Sequence, residues 1–182
     1  MTIFNIIVFL ILVLLAIFCL VYFLTPLFSK VPFVPCSKEV VYEIVHALPL
    51  SSGSVFFDLG CGDGRVLFAI AKAYPSVSCR GVEIAPFPFL LAKARKVFSW
   101  AHNVSIMYGD FFKIDTSSAS CVFVYLFPKI LDRLLPKFEQ ELKPGSIVVS
   151  CDFKFSKREP SQIIDLPSTK LQINKKLFIY KF

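Results

Sequence analysis

Several things that would point to a metal or redox protein are missing from this sequence. Its six cysteines (positions 19, 36, 61, 79, 121 and 151) form no C-x-x-C pair. No Cys/His cluster has zinc spacing, so the sequence implies no structural metal, and the scattered thiols fit a reducing compartment. There are only two histidines among 182 residues. One of them, His46, falls at the edge of an apolar helical stripe and reads as a structural or surface side chain. No internal repeat appears, and no long low-complexity run apart from the apolar N-terminus.

Charge is the most telling absence. Residues 3 to 24 contain no charged side chain. As a helix this stretch spans about 33 Å, enough for a hydrocarbon core of roughly 30 Å. A buried core helix would show a polar face, and here there is little beyond Asn5. A cleaved signal peptide would carry a basic start and small residues before its cleavage site. Met1-Thr2 has no basic side chain, and Phe18-Cys19 lacks the small residue of a lipoprotein site. The expectation is an uncleaved transmembrane anchor over 1–28. Lys30 and Lys38 follow the span and no Lys or Arg precedes it, which puts the N-terminus outside and the rest on the cytoplasmic side. A connector and helix then occupy 29–50, and a globular domain 51–182.

The domain is organised around Val55-Phe56-Phe57-Asp58-Leu59-Gly60-Cys61-Gly62-Asp63-Gly64-Arg65. Its apolar start reads as a buried strand and Val66 to Tyr74 as a helix packed on a sheet. Glycines between strand and helix supply positive φ and let a ligand approach bare backbone. The spacing is D-x-G-x-G-x-G rather than the dinucleotide G-x-G-x-x-G. An acid such as Asp63 in the turn repels phosphate and suits a cationic or zwitterionic ligand. A second strand, Arg80 to Ile84, carries Glu83, placed to accept hydrogen bonds from a ribose diol. A third, Val104 to Tyr108, leads into Gly109-Asp110-Phe111-Phe112. Three successive strands thus bring Asp58, Glu83 and Asp110 to one edge of a sheet.

DLGCGDG, GVEI and GDFF, followed by Leu142-Lys143-Pro144-Gly145-Ser146 before an apolar strand, resemble the motifs of class I S-adenosylmethionine-dependent methyltransferases. The resemblance covers roughly residues 51 to 153. It implies an α/β, Rossmann-like doubly wound fold with a mostly parallel seven-stranded sheet and an antiparallel last strand. It implies S-adenosyl-L-methionine as cofactor, with Gly60, Cys61, Gly62, Asp63 and Gly64 forming the loop under the methionine part. Glu83 would meet the ribose hydroxyls, and Asp110 with the Phe111 backbone the adenine. Asp58 would orient the loop or reach the methionine ammonium. Lys30-Val31-Pro32-Phe33-Val34-Pro35, the helix after it and Tyr125-Leu126-Phe127-Pro128 resemble a narrower branch. That branch holds small prokaryotic methyltransferases and membrane-anchored mitochondrial protein-lysine methyltransferases, whose activities fall on the c-type subunit of ATP synthase and the adenine nucleotide translocator. For a mitochondrial member of it, the domain would face the matrix.

The remaining elements follow from periodicity. Ser37 is placed to cap a helix from Lys38 to Leu48. Pro86 to Trp100 carries Leu90, Leu91, Ala94, Val97 and Phe98 on one face. Lys129 to Leu142 reads as a helix in which Pro136 starts a second piece. Ile147 to Cys151 is a fifth strand, and Lys154 to Gln162 a polar loop. Leu171 to Ile173 and Lys176 to Tyr180 read as a closing hairpin across Asn174-Lys175.

Relatives that modify amides and bases present Asn/Asp-Pro-Pro-Tyr after strand four, and Tyr125-Leu126-Phe127-Pro128 departs from it. That argues against those acceptors and leaves no obvious general base. Tyr125 is placed to line an acceptor channel, or to be plain core; Asp152, at the end of strand five, is a second acceptor-side candidate or a solvated acid. The net charge of +7 lies wholly outside the span. On a tethered domain it reads as attraction to anionic headgroups. Nucleic-acid binding is disfavoured, because the basic residues are dispersed and no RNA-binding module appears. Three functions stay open: methylation of a lysine on a membrane-embedded or membrane-adjacent protein, methylation of a lipid or hydrophobic small molecule, and a non-catalytic cofactor-binding membrane module.

Overall fold

A computed structural model describes residues 2–28, 34–166 and 176–182. The apolar start forms helix α1 (Ile3–Phe28), whose Ile3–Leu20 window has a mean hydropathy of 3.3 and no burial against the rest of the chain. It is long and apolar enough to cross a membrane. Helix α2 (Lys38–Ala47) starts where Ser37 Oγ accepts the Val40 amide at 3.3 Å, the expected cap. His46 lies on its exposed side, with Nδ1 against the Tyr42 carbonyl.

Strand and helix then alternate: β1 (Val55–Leu59), α3 (Arg65–Ala73), β2 (Ser78–Glu83), α4 (Pro86–Ser99), β3 (Val104–Tyr108), β4 (Cys121–Val124), α5 (Pro128–Glu141) and β5 (Ile147–Cys151). Two more strands follow, β6 (Gln162–Asp165) and β7 (Lys176–Lys181). Among the described residues they form one seven-stranded sheet in the order β3-β2-β1-β4-β5-β7-β6. β1 to β5 pair in parallel, and β7 runs antiparallel to both β5 and β6. The doubly wound fold with an antiparallel last strand is therefore as expected.

The central strands are buried on both faces, as near-continuous apolar runs demand. On one side Val40 and Ile44 of α2, Leu67 and Ile70 of α3 and Ala92 of α4 pack on Phe56, Cys79 and Phe123. On the other, Leu131, Leu134 and Phe138 of α5 cover Phe57, Val122 and Val148. The chain order reverses between β1 and β4, and a ligand crevice opens at the strand C-termini beside such a switch point.

Three details depart from the sequence reading. Helix α5 runs unbroken through Pro136. Proline removes one backbone bond, but Pro136 is exposed while Leu131, Leu134, Leu135 and Phe138 hold the opposite side in the core. The outer strand β6 falls at Gln162–Asp165, partly inside what reads as polar loop. It is an edge strand with Ile163 exposed, so burial leaves no alternating signature. The proposed strand at Leu171 to Ile173 lies outside the described residues.

Gly81 shows how tightly α3 sits on the sheet. A Cβ there would lie 2.7 Å from Leu67 Cδ2 and 2.9 Å from Cys61 Sγ. Gly81→Ala should therefore destabilise the fold by about 1–3 kcal/mol. Chemical denaturation of the full chain in detergent checks this; unchanged stability would mean that the packing is looser than these distances imply.

Candidate cofactor and acceptor site

The glycine loop closes on the end of β2. Gly60 and Cys61 both donate to the Val82 carbonyl, at 2.9 and 3.0 Å, and Gly64 donates to Cys61 at 2.8 Å. Gly60, Gly62 and Gly64 have φ of +83°, +56° and +77°. Such angles favour glycine because a Cβ clashes there. A Cβ on Gly64 would also press on the Phe68 ring at 2.8 Å.

Glu83 locks this loop in place. It is buried, and its two oxygens accept the Gly62 amide at 2.9 Å and the Ala85 amide at 2.7 Å. Each carboxylate oxygen has a second lone pair for a ligand hydroxyl. Burial raises the Glu83 carboxyl, opposed by the Ala85 and Gly62 amides. Asp58 is buried one position from the end of β1. Burial, then the charges of Glu83 and Asp63, push its carboxyl up to about 8. Cys61 is buried too, and its thiol is raised first by burial and then by Asp58 and Glu83. It packs beneath the loop against Gly81.

Asp63 is committed to two arginines. It pairs with Arg65 at 2.9 Å and Arg95 at 2.8 Å, while Arg65 also donates to the Cys36 carbonyl. The arginines hold its carboxyl below the usual range, against the opposing effect of burial. This clasp ties the loop to α4 and to the segment before α2. Nothing in the local sequence signals it, since Arg95 and Cys36 are distant along the chain. Gly109, after β3, donates to the Glu83 carbonyl at 3.0 Å, so the next motif abuts the second. There Asp110 Oδ1 accepts the Phe112 amide at 3.0 Å and Phe111 is buried. Asp58 and Glu83 thus stand near the ends of the adjacent strands β1 and β2, and Asp110 follows two residues past the end of β3.

Tyr125 and Asp152, named separately from the sequence, meet. The Tyr125 hydroxyl donates to Asp152 Oδ2 at 3.0 Å. Burial, then Asp152, hold the phenol above its usual range, so it stays a donor. Asp152 has φ +62°, a left-handed conformation at the end of β5, and its amide donates to Lys176 at 2.8 Å. Such outliers concentrate at functional sites. Phe153 stacks beside Tyr125 at 6.3 Å between ring centres and touches Phe127 at 5.7 Å. The sequence offered these two phenylalanines only as neighbours of the candidates. Leu126 joins the two halves: a Cβ on Gly60 would lie 3.3 Å from its Cδ2. Among the described residues no group of His, Cys, Asp and Glu could hold a metal ion.

This edge combines bare left-handed glycine backbone with buried acids on β1 and β2. Bare backbone beside a buried acid with free lone pairs suits a ligand that brings hydroxyl groups close to the chain. The family model for the ANTKMT methyltransferase domain matches residues 58–162. The chain belongs to this family. It is an S-adenosyl-L-methionine-dependent methyltransferase. A protein-lysine N-methyltransferase of Saccharolobus islandicus (strain REY15A) is 33% identical over 151 residues, covering 82% of this methyltransferase and 92% of the relative. The mouse lysine N-methyltransferase named for the C-type subunit of ATP synthase is 32% identical over 142 residues, covering 76% of the chain and 56% of the relative. The methyltransferase therefore spans a little over half of the mouse enzyme. An RNA methyltransferase from Salinibacter ruber, solved with S-adenosyl-L-homocysteine, superposes with a TM-score of 0.74 at 30% identity. That match covers 81% of the methyltransferase and 93% of the other chain.

The raised Asp58 carboxyl has a measurable consequence. Asp58 is protonated in the folded, cofactor-free methyltransferase up to about pH 8, and ionised near 3.8 as an unperturbed group. Its contribution to stability is therefore full below about pH 4 and is lost as pH rises through about 8. Glu83 acts in the same direction. Thermal unfolding of the cofactor-free full chain should show Asp58→Asn gaining on the wild type between pH 5 and 8. A constant difference across that range would contradict the assignment.

Proposed function

We propose that this methyltransferase transfers methyl groups to the ε-amine of lysine in proteins embedded in or adjacent to a membrane, with α1 as its anchor. The observation that carries the reading is the Tyr125–Asp152 pair set beside Phe127 and Phe153, next to the glycine loop. An aromatic wall holds a four-carbon stem, and an acid at its end fits an amine that becomes a methylated ammonium. The names of the relatives from Saccharolobus islandicus and mouse support the same acceptor.

When bound, the cofactor supplies a methyl group already activated on a sulfonium. The chain's own work is to position and to handle charge. Gly60 and Gly62 would leave room for the methionine part, Glu83 holds the loop and would offer lone pairs to the ribose, and Asp110 with Phe111 would line the adenine side. Tyr125 fixes the Asp152 carboxylate, which faces the amine. A lysine with an ordinary pKa of roughly 10.4 must lose its proton before attack. The apolar wall favours that neutral form. Topology follows the lysine bias: N-terminus outside, domain inside.

Purified full chain with labelled methyl donor should be incubated with a membrane fraction from its own host. Label should enter protein and be recovered as methyl-lysine after hydrolysis. Label recovered in extracted lipid or in RNA, with none in protein, would overturn the acceptor and leave fold and cofactor standing.

A further inference from the structure

Helix α4 faces the wrong way for a helix of a soluble domain. Its fully buried residues are the small Pro88 and Ala92, with Phe89 half-buried against the core, while Leu90, Leu91, Val97 and Phe98 point outward. Leu90 is 53% exposed, Val97 72% and Phe98 82%; Leu91 and Ala94 are exposed on the same side. Trp100, left-handed at the C-cap, is 80% exposed. At about 100° per residue Leu90, Leu91, Ala94, Val97 and Phe98 form one stripe turned away from Ala92, and Trp100 stands just past its C-terminal end. The sequence periodicity finds this stripe without saying what it faces. A contiguous apolar surface of this kind marks an interaction site.

Two observations say what covers it. First, α4 is packed against α1: the Phe18 and Phe87 rings meet edge-on at 5.3 Å. Phe18 lies near the end of the apolar window Ile3–Leu20, and Phe87 in the first turn of α4. The N-terminal end of α4 therefore lies against α1, the helix apolar enough to cross a membrane. Second, α4 contains no acid, and Lys93 borders the stripe. Lys93 folds over the Phe89 ring at 5.8 Å. Apolar face, terminal tryptophan, bordering lysine and absence of acids make up an in-plane membrane helix.

We infer that α4 is a second membrane contact of the methyltransferase. Leu90, Leu91, Ala94, Val97, Phe98 and Trp100 sit in the headgroup–acyl boundary of the bilayer that α1 crosses, and Lys93 meets anionic headgroups. The inference rests on the anchor reading of α1. It has a catalytic consequence, because Arg95 of the same helix binds Asp63 of the glycine loop through its carboxylate at 2.8 Å and its carbonyl at 2.9 Å. Seating α4 fixes the loop, and with it the acceptor mouth, relative to the membrane surface.

The chain has a single tryptophan, so Trp100 reports the contact without labelling. Full-length protein should be reconstituted into vesicles of phosphatidylcholine and phosphatidylglycerol. Trp100 emission should be blue-shifted, shielded from iodide, and quenched by lipids brominated near the headgroup end of the acyl chain. Val97→Glu with Phe98→Glu alters two exposed side chains; it should remove most of that quenching while cofactor affinity and resistance to alkaline carbonate stay unchanged. Water-like, iodide-quenched emission from a chain that resists the wash overturns the inference and leaves the anchor intact. Shielding of Trp100 that depends on protein density and comes with dimers cross-linked through α4 also overturns it, assigning the face to a second copy. Release by the wash removes the anchor reading and this inference with it.

Discussion

Gly62→Val should reduce cofactor affinity by at least about 100-fold, or about 2.8 kcal/mol at 1.4 kcal/mol per decade. Two effects add. Gly62 has φ +56°, where a β-branched residue is an outlier and the strain is about 1–3 kcal/mol. Its amide also donates to Glu83 at 2.9 Å, so relief of that strain by a backbone shift detaches this buried acid from the loop. Gly62→Ala should keep the fold with a smaller loss of affinity, and guards against reading an unfolded protein as a binding defect. Calorimetry with S-adenosyl-L-homocysteine measures both. Wild-type affinity in a folded Gly62→Val protein would remove the loop from the site.

The second large effect belongs to Asp152. Asp152→Ala should lower turnover by about 100-fold or more, as for loss of one preorganised electrostatic partner, with cofactor affinity changed by less than about twofold. Alanine also tolerates the left-handed φ of +62° poorly, so Asp152→Asn is the needed companion. Asparagine accepts that backbone and can still receive the Tyr125 hydroxyl, but has no charge. Loss of turnover in both variants assigns the effect to the carboxylate; loss in alanine alone assigns it to the backbone. Tyr125→Phe keeps the ring beside Phe153 and should lose about tenfold, the worth of one hydrogen bond to a charged group. Turnover of all these proteins should rise with pH through the neutral range, because the acceptor amine must be neutral to react.

What the sequence made legible was local. Val55 to Arg65 joins a β-branched, aromatic strand to glycines that need positive φ, and both signals are short-range. Glu83 and Asp110 follow because each ends a readable strand. Periodicity also located α4 but not its surroundings: an apolar stripe looks the same whether it faces a sheet or a lipid. The small residues Pro88 and Ala92, which make the true contact with the sheet, give no hydrophobic signal. Pro136 misleads for a related reason, since a local rule about proline is outweighed by the buried face of α5. The Arg65–Asp63–Arg95 clasp and the Tyr125–Asp152 bond join residues far apart in sequence, and only the assembled sheet brings them together. Strand β6 was hidden because an exposed edge strand has no buried face to pattern.

The account turns on lysine as acceptor at a membrane. Its most direct test is mass spectrometry of membrane proteins from host cells carrying the wild-type methyltransferase or Gly62→Val. The account predicts at least one lysine, in a membrane-embedded or membrane-adjacent protein, whose mass is greater by one or more methyl groups only in the wild-type cells. Identical lysine masses in the two, with a methylated lipid or RNA confined to the wild type, would contradict it.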